Sequence, residues 1–203
     1  EQKNAIVDAC AGSGKSTTVL SCAKVLPSLK FIQITFNKML QEEVKQSIDK
    51  IKLQNIDVFT FHGLAVKYYD SSCHNDMGIR RVLRENTSPR VSIPIFNVMV
   101  LDETQDMTKV YYDLVWKFLL DMGKPVQFLI LGDEKQALYE FKGSDTRFLT
   151  LGAQCWKSFP NLISNSFDTY SLRTSYRITD QMRDFVNHAM LGEQRIHSCK
   201  PGL

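Results

Sequence analysis

"NAIVDACAGSGKSTTVLSCAKVLP" (residues 4–27) decides how the rest of the chain is read. Residues 4–10 form a short apolar run of strand length. Val19, Leu20, Cys22, Ala23 and Leu26 then recur at helical spacing, until Pro27 stops the helix. Between the two lies "AGSGKST". Strand, glycine loop and helix in that order are the setting in which G-x-x-x-x-G-K-[ST] cradles phosphate. Gly14, Lys15 and Ser16 fit the end of that pattern, while Ala9 replaces its first glycine. The mechanics survive that change. Gly12 and Gly14 let backbone N–H groups turn inward, and the helix beginning near Lys15 adds its positive end. Lys15 is expected to reach the β- and γ-phosphates and Ser16 to ligate Mg2+. The competing interpretation is an ordinary glycine turn, against which Lys-Ser-Thr at the helix start argues. The expected nucleotide contacts along the loop are Ala11, Gly12, Ser13, Gly14, Lys15, Ser16 and Thr17.

A phosphate loop needs a metal ligand at the end of a neighbouring strand. "VMVLDETQDM" (98–107) supplies one: an apolar strand, then Asp102 and Glu103, with Asp106 close behind. Three acids so close repel one another. Either they sit in a solvated turn, or something cationic is held among them. With the loop present, Asp102 is expected to hold Mg2+ directly or through water. Glu103 is expected to orient and deprotonate an attacking water. Asp106 either joins this group or caps the helix that starts near Thr108. "LILGDEKQALYEFKG" (129–143) repeats the logic. Another apolar strand ends in Gly-Asp, followed by Gln136, a neutral amide able to bond a γ-phosphate and so distinguish ATP from ADP.

Outward from these motifs, strands and helices alternate. "FIQITF" (31–36), "DVFTFH" (57–62), "IFNVMVL" (95–101) and "VQFLILG" (126–132) read as further strands. Leu40, Val44, Ile48 and Ile51 mark one helix, and Tyr111, Leu114, Val115, Phe118, Leu119 and Met122 another behind the cap Thr108. Residues 145–159 read as helical and 167–176 as extended, with a last helix after the cap Thr179. Residues 71–92 are polar and read as a surface insertion. Nearly continuous apolar strands between helices predict an α/β fold, a parallel sheet flanked by helices on both faces.

Composition sets the outer bounds. The chain has 203 residues, 43% hydrophobic and 23% charged, which is an ordinary globular balance. A net charge of +3 is too mild to argue for a nucleic-acid partner by itself. The five cysteines are scattered without a C-x-x-C pair, and read as thiols of a reducing intracellular compartment rather than a zinc site, although Cys73-His74 and His197/Cys199 are present. No apolar run is long enough for a membrane span.

Taken in order, "AGSGKST", "ITFNKMLQEEV", "VFTFHGLA", "VMVLDETQD", "LILGDEKQALYEFKG" and "LRTSYRIT" resemble the motif series of superfamily 1 helicases of the UvrD/Rep/PcrA type. "TFNK" and "TFHGLA" are most similar to the F-box DNA helicase branch and to viral relatives. The series covers about residues 8–180. The resemblance implies a RecA-like P-loop NTPase domain using ATP and Mg2+, moving on single-stranded DNA, with RNA left open, usually 3′ to 5′, as a monomer. It implies Lys15, Ser16, Asp102, Glu103 and Gln136 as the nucleotide site. Tyr176 matches the family tyrosine that stacks on adenine, and Arg177 the arginine that contacts the γ-phosphate. The plain alternative for these two is a strand-to-helix junction with an exposed arginine. On the nucleic-acid side Phe36, Asn37, Thr60, His62, Tyr139 and Phe141 fall on family positions, Phe141 being favoured for base stacking. His62 either donates to a phosphate or base, or is a satisfied histidine in a helix-start turn. Phe36 and Phe61 alternatively belong to the core.

Departures are expected as well. Gln2 lies too close to the loop to serve as the family's upstream glutamine. The large insertion of bacterial members is reduced to residues 71–92, and the later motifs fall outside this chain. Residues 1–165 are therefore expected to form a first RecA-like domain and 166–203 the start of a second. The rival from another class is a nucleotide- and strand-binding module with little turnover. A small kinase is a third reading, but it would not need "DETQD" followed by "GDEKQALYEFKG".

Overall fold

The computed structural model describes residues 3–137 and 143–201. Six strands, β1 (Asn4–Ala9), β2 (Phe31–Thr35), β3 (Ile56–Thr60), β4 (Val98–Leu101), β5 (Gln127–Gly132) and β6 (Phe167–Leu172), pair in parallel in the order β3-β2-β4-β5-β1-β6. Between them run α1 (Lys15–Val25), α2 (Lys38–Ile51), α3 (Phe61–Tyr68), α4 (Asp76–Arg84), α5 (Lys109–Met122), α6 (Arg147–Thr150) and α7 (Gly152–Trp156). A second small sheet joins β7 (Thr174–Thr179) to β8 (His197–Lys200), with α8 (Asp180–Phe185) between them.

The period-two alternation of the strands builds two cores. In β4, Met99 and Leu101 face a large core with Ile32, Ile34, Phe128 and Ile130, while Val98 and Val100 face the opposite core with Phe31, Val58 and Leu131. The first core is covered by α3, α4, α5, α6 and α7, and contains the ring cluster Tyr112, Phe128, Phe148, Trp156 and Phe159. The second is covered by α1 and α2 through Val19, Ala23, Val44 and Ile48. Both sheet faces are thus buried, which is why the strands read as unbroken apolar runs.

Three findings revise the sequence expectations. Residues 71–92 hold α4, whose Ile79 and Val82 are buried in the large core. Its arginines make the stretch look polar in composition, yet its apolar residues keep helical spacing. Gly78 belongs to this packing, because a Cβ there would lie 2.3 Å from the Ser72 carbonyl oxygen. The first sheet also continues past residue 165. β6 pairs with β1 along its whole length, from Asn4↔Phe167 to Ala9↔Leu172, so residues 167–172 belong to the first sheet. The last helix, capped by the Thr179 hydroxyl at Met182 N, is regular only through Phe185 and continues as a π-helical turn, Val186–Leu191.

Candidate active site

Every strand of a parallel sheet ends on the same edge, and the loops leaving β1, β4 and β5 are neighbours there. After β1 the chain turns through Gly12 (φ 71°) and Gly14 (φ 90°), a left-handed backbone suited to glycine. Gly14 occupies the N-cap of α1 and offers no side-chain cap, so the N–H groups of the first turn stay open to the loop. The Ser13 hydroxyl is buried with no hydrogen-bond partner among the described residues. β7 crosses over this loop. Ser175 Oγ donates to Ala11 O at 2.8 Å, and Tyr176 N donates to Gly12 O at 3.0 Å. A Cβ on Gly12 would lie 2.5 Å from Arg177 Cβ. Gly12→Ala is therefore expected to destabilise the chain by about 1–3 kcal/mol, from strained backbone and lost docking together. Urea denaturation measures it.

Asp102 leaves β4 at its C-terminal end and is buried. Gln33 Nε2 donates to its Oδ2 at 3.1 Å, and Glu103 N donates to its Oδ1 at 3.0 Å. Burial first, and then the neighbouring Glu103 carboxylate, push the Asp102 pKa up to about 6. Glu103 sits at φ 53°, strained for a residue with a side chain. That turn aims its carboxylate at the loop, where Oε1 lies 3.4 Å from Lys15 Nζ, and Gln105 Nε2 donates to Oε2 at 2.8 Å. Gln105 Oε1 in turn accepts from Asp133 N at 3.1 Å, and Gln136 Nε2 donates to Asp133 Oδ2. One hydrogen-bonded chain therefore links the lysine of the loop, the acids after β4 and the amide after β5.

The raised Asp102 value has a stability consequence. The folded pKa of about 6 exceeds the ordinary aspartate value of 3.8, so between these values the folded state binds the extra proton. Stability accordingly falls as pH rises from about 4 to about 6, and above that the full penalty of roughly 2–3 kcal/mol remains. Asp102→Asn is expected to recover that amount at pH 7.5 and to flatten this part of the stability profile. Denaturant titrations at pH 4, 5, 6 and 7.5 test it.

Ala11, Gly12, Ser13, Gly14, Lys15, Ser16, Thr17, Glu103, Gln136, Tyr176 and Arg177 all border one cleft of about 950 Å³. Asp102 is not among the residues bordering it; it is buried and joined to the cleft's Glu103 by the Glu103 N–H bond. Tyr176 and Arg177 are exposed. Asp106 is buried in the 3-10 turn Thr104–Asp106, ahead of α5, whose N-cap is Thr108.

Phe36, Asn37, Thr60 and His62 gather elsewhere on the same edge, behind β2 and β3. Asn37 caps α2 by accepting from Leu40 N, and Thr60 caps α3 by accepting from Gly63 N. Phe61 is buried and stacks on Tyr111 at 4.4 Å, while Phe36 meets the Tyr111 ring edge-on at 6.4 Å. His62 Nε2 lies 3.0 Å from Asp76 Oδ1, and Tyr111 OH donates to the same oxygen at 3.1 Å. His62 is thus a satisfied histidine, held by an acid on a helix that the sequence reading did not foresee. Tyr139 and Phe141 lie outside the described residues.

Three residues of the site were missed from sequence, Gln33, Gln105 and Arg195, as was Asp8, which pairs with Arg195 and is not among the residues bordering the cleft. Gln33 and Asp8 carry a signal, being polar side chains inside apolar strand runs. Arg195, buried against Asp8 and Asp133, carries none, since it lies in a polar stretch.

The AAA domain family model matches residues 1–142, well over half of the chain. The chain belongs to this family, which occurs in superfamily 1 helicases of the UvrD/Rep type. No curated protein matches the sequence. Among solved structures, arterivirus nonstructural protein 10, a helicase in complex with DNA, superimposes with a TM-score of 0.52 at 12% identity, covering 98% of this chain and 42% of that one. The helicase domain of Pyrococcus furiosus Hef gives 0.44 at 11% identity, covering 83% and 36%. The chain thus spans less than half the length of either of these helicase chains. The likeness is one of fold, a RecA-like parallel sheet. Among the described residues no helix is long and apolar enough to cross a membrane.

Proposed function

We propose that the chain is the ATP-hydrolysing part of a nucleic-acid motor that moves 3′ to 5′ on single-stranded DNA and opens duplex. One observation carries this: a single cleft gathers the glycine loop, Lys15, Glu103 and Gln136 from the loops of the six-stranded sheet and Tyr176 and Arg177 from β7. A site that closes only when two units meet is what a motor needs to turn nucleotide state into movement.

The residues present fit a nucleotide with its metal. The open helix start and the unpartnered Ser13 hydroxyl suit phosphate oxygens. Ser16 and Asp102 are hard oxygen donors of the kind that, with phosphates and water, hold Mg2+. Held there, Mg2+ would neutralise phosphate charge. Lys15 pairs with Glu103 in the structure, and a phosphate would compete for its ammonium. Transfer of Lys15 to the phosphates frees Glu103 Oε1 to accept a proton from water, while Gln105 keeps the other oxygen fixed. Gln136 reports the γ-phosphate, Tyr176 stacks on the base and Arg177 meets the transferring phosphoryl group. On this reading Phe36, Asn37, Thr60, His62 and Tyr139 contact the strand or support the loops that do, and Phe141 stacks on a base.

Two binding measurements on the longest natural form test this reading. ATP binding should need Mg2+ and be lost in Lys15→Ala. Binding of a single-stranded oligonucleotide should weaken linearly in log–log with salt. Nucleotide binding without any strand binding would point to a small-molecule kinase instead.

A further inference from the structure

Arg195 is a buried cation contributed by the second unit, just ahead of β8. Its guanidinium forks between two carboxylates. Nη1 donates to Asp133 Oδ1 at 2.7 Å, and Nη2 donates to Asp8 Oδ1 and Oδ2 at 2.7 and 2.9 Å. Asp8 stands opposite Gly132 in the β1–β5 register, so Asp8 and Asp133 leave neighbouring strand ends and would repel each other without the cation. The approach of Arg195 is fixed from behind. Asn187, fully buried in the π-helical turn, accepts from Arg195 N at 3.2 Å and Ile196 N at 3.0 Å, and donates to Ile196 O at 2.8 Å. These bonds tie the backbone at Arg195 to the π-helical turn.

Asp133 is where this contact meets the cleft. Its Oδ1 takes Arg195, its Oδ2 takes Gln136 Nε2, and its N–H holds Gln105, which holds Glu103. We propose that Arg195 is a positioning residue that couples the β7–α8–β8 unit to Gln136 and Glu103, so that hydrolysis proceeds only when the two units are docked. The inference rests on the proposed ATP site and adds to it a link that touches no nucleotide. A fork fits the role better than a point charge, because only a guanidinium spans both acids at hydrogen-bond distance.

The test uses the longest natural form and counts kcat per nucleotide-binding site, with sites titrated by a fluorescent ADP. Arg195→Ala would remove the cation between the buried Asp133 and the half-buried Asp8 and could fail to fold, so Arg195→Lys is the principal variant. Small misplacements of a catalytic constellation lose up to ~10²-fold in rate, and Arg195→Lys is expected to lower kcat per site about tenfold with KM for ATP within about twofold. Asp8→Asn, which keeps the Arg195–Asp133 arm, is expected to lower the melting temperature but leave kcat per site within about twofold. An unchanged kcat per site in Arg195→Lys, with only a lower melting temperature, would overturn the coupling role and leave a structural ion pair. A raised KM at constant kcat would overturn it too, as would an Asp8→Asn loss equal to that of Arg195→Lys. A wild type that hydrolyses no ATP removes the proposed function itself, and is recognised before any variant is made.

Discussion

Arg177→Ala is expected to reduce ATP turnover by about 10³–10⁵-fold, the range for an arginine that stabilises charge on a transferring phosphoryl group. Arg177 lines the cleft against the loop, packed on Gly12 beside the Tyr176 N–H bond to Gly12 O. The side chain is exposed and has little to hold in the absence of nucleotide. The loss should therefore fall on kcat, while folding stability changes by less than about 0.5 kcal/mol. Single-turnover kinetics and a denaturation curve separate the two. Arg177→Lys should recover little, since an ammonium lacks the planar fork.

Glu103→Gln is expected to cost about 10²–10⁴-fold in kcat, the usual contribution of a positioned general base. Its geometry makes the variant informative. Gln at this position can still meet Gln105, and removing one carboxylate relieves Asp102, whose pKa is raised by burial and then by Glu103. Lys15 loses its resident partner. ATP binding should thus be retained or tightened while turnover disappears. Equilibrium binding beside hydrolysis checks this, and equal losses in both would show that Glu103 supports the site rather than acting on water.

Much of this arrangement could be read from sequence because it depends on local order. The switch from apolar run to glycine loop to helical spacing at residues 4–26 requires no knowledge of distant residues, and Asp102 and Asp133 follow apolar strands directly. The parallel sheet was legible because both faces are buried. What escaped depends on contacts across the chain. α4 hides an apolar face among arginines, and only the packing of Ile79 and Val82 exposes it. His62 had two open readings because its partner, Asp76, begins that same helix. β4 is shorter than its apolar run suggests, since Ile95 is exposed and pairing begins at Val98. β6 looked like the entry to a new unit until its pairing with β1 placed it in the first sheet. Arg195 meets Asp8 across 187 positions, a separation that no local pattern encodes.

The most direct measurement is steady-state ATP hydrolysis by the longest natural form, with and without single-stranded DNA, for wild type and Lys15→Ala. A motor built on this cleft should hydrolyse ATP faster when strand is bound, and Lys15→Ala should abolish turnover in both conditions. Strand binding with no hydrolysis, or hydrolysis indifferent to both strand and Lys15, would contradict the account and leave a binding module on a RecA-like sheet.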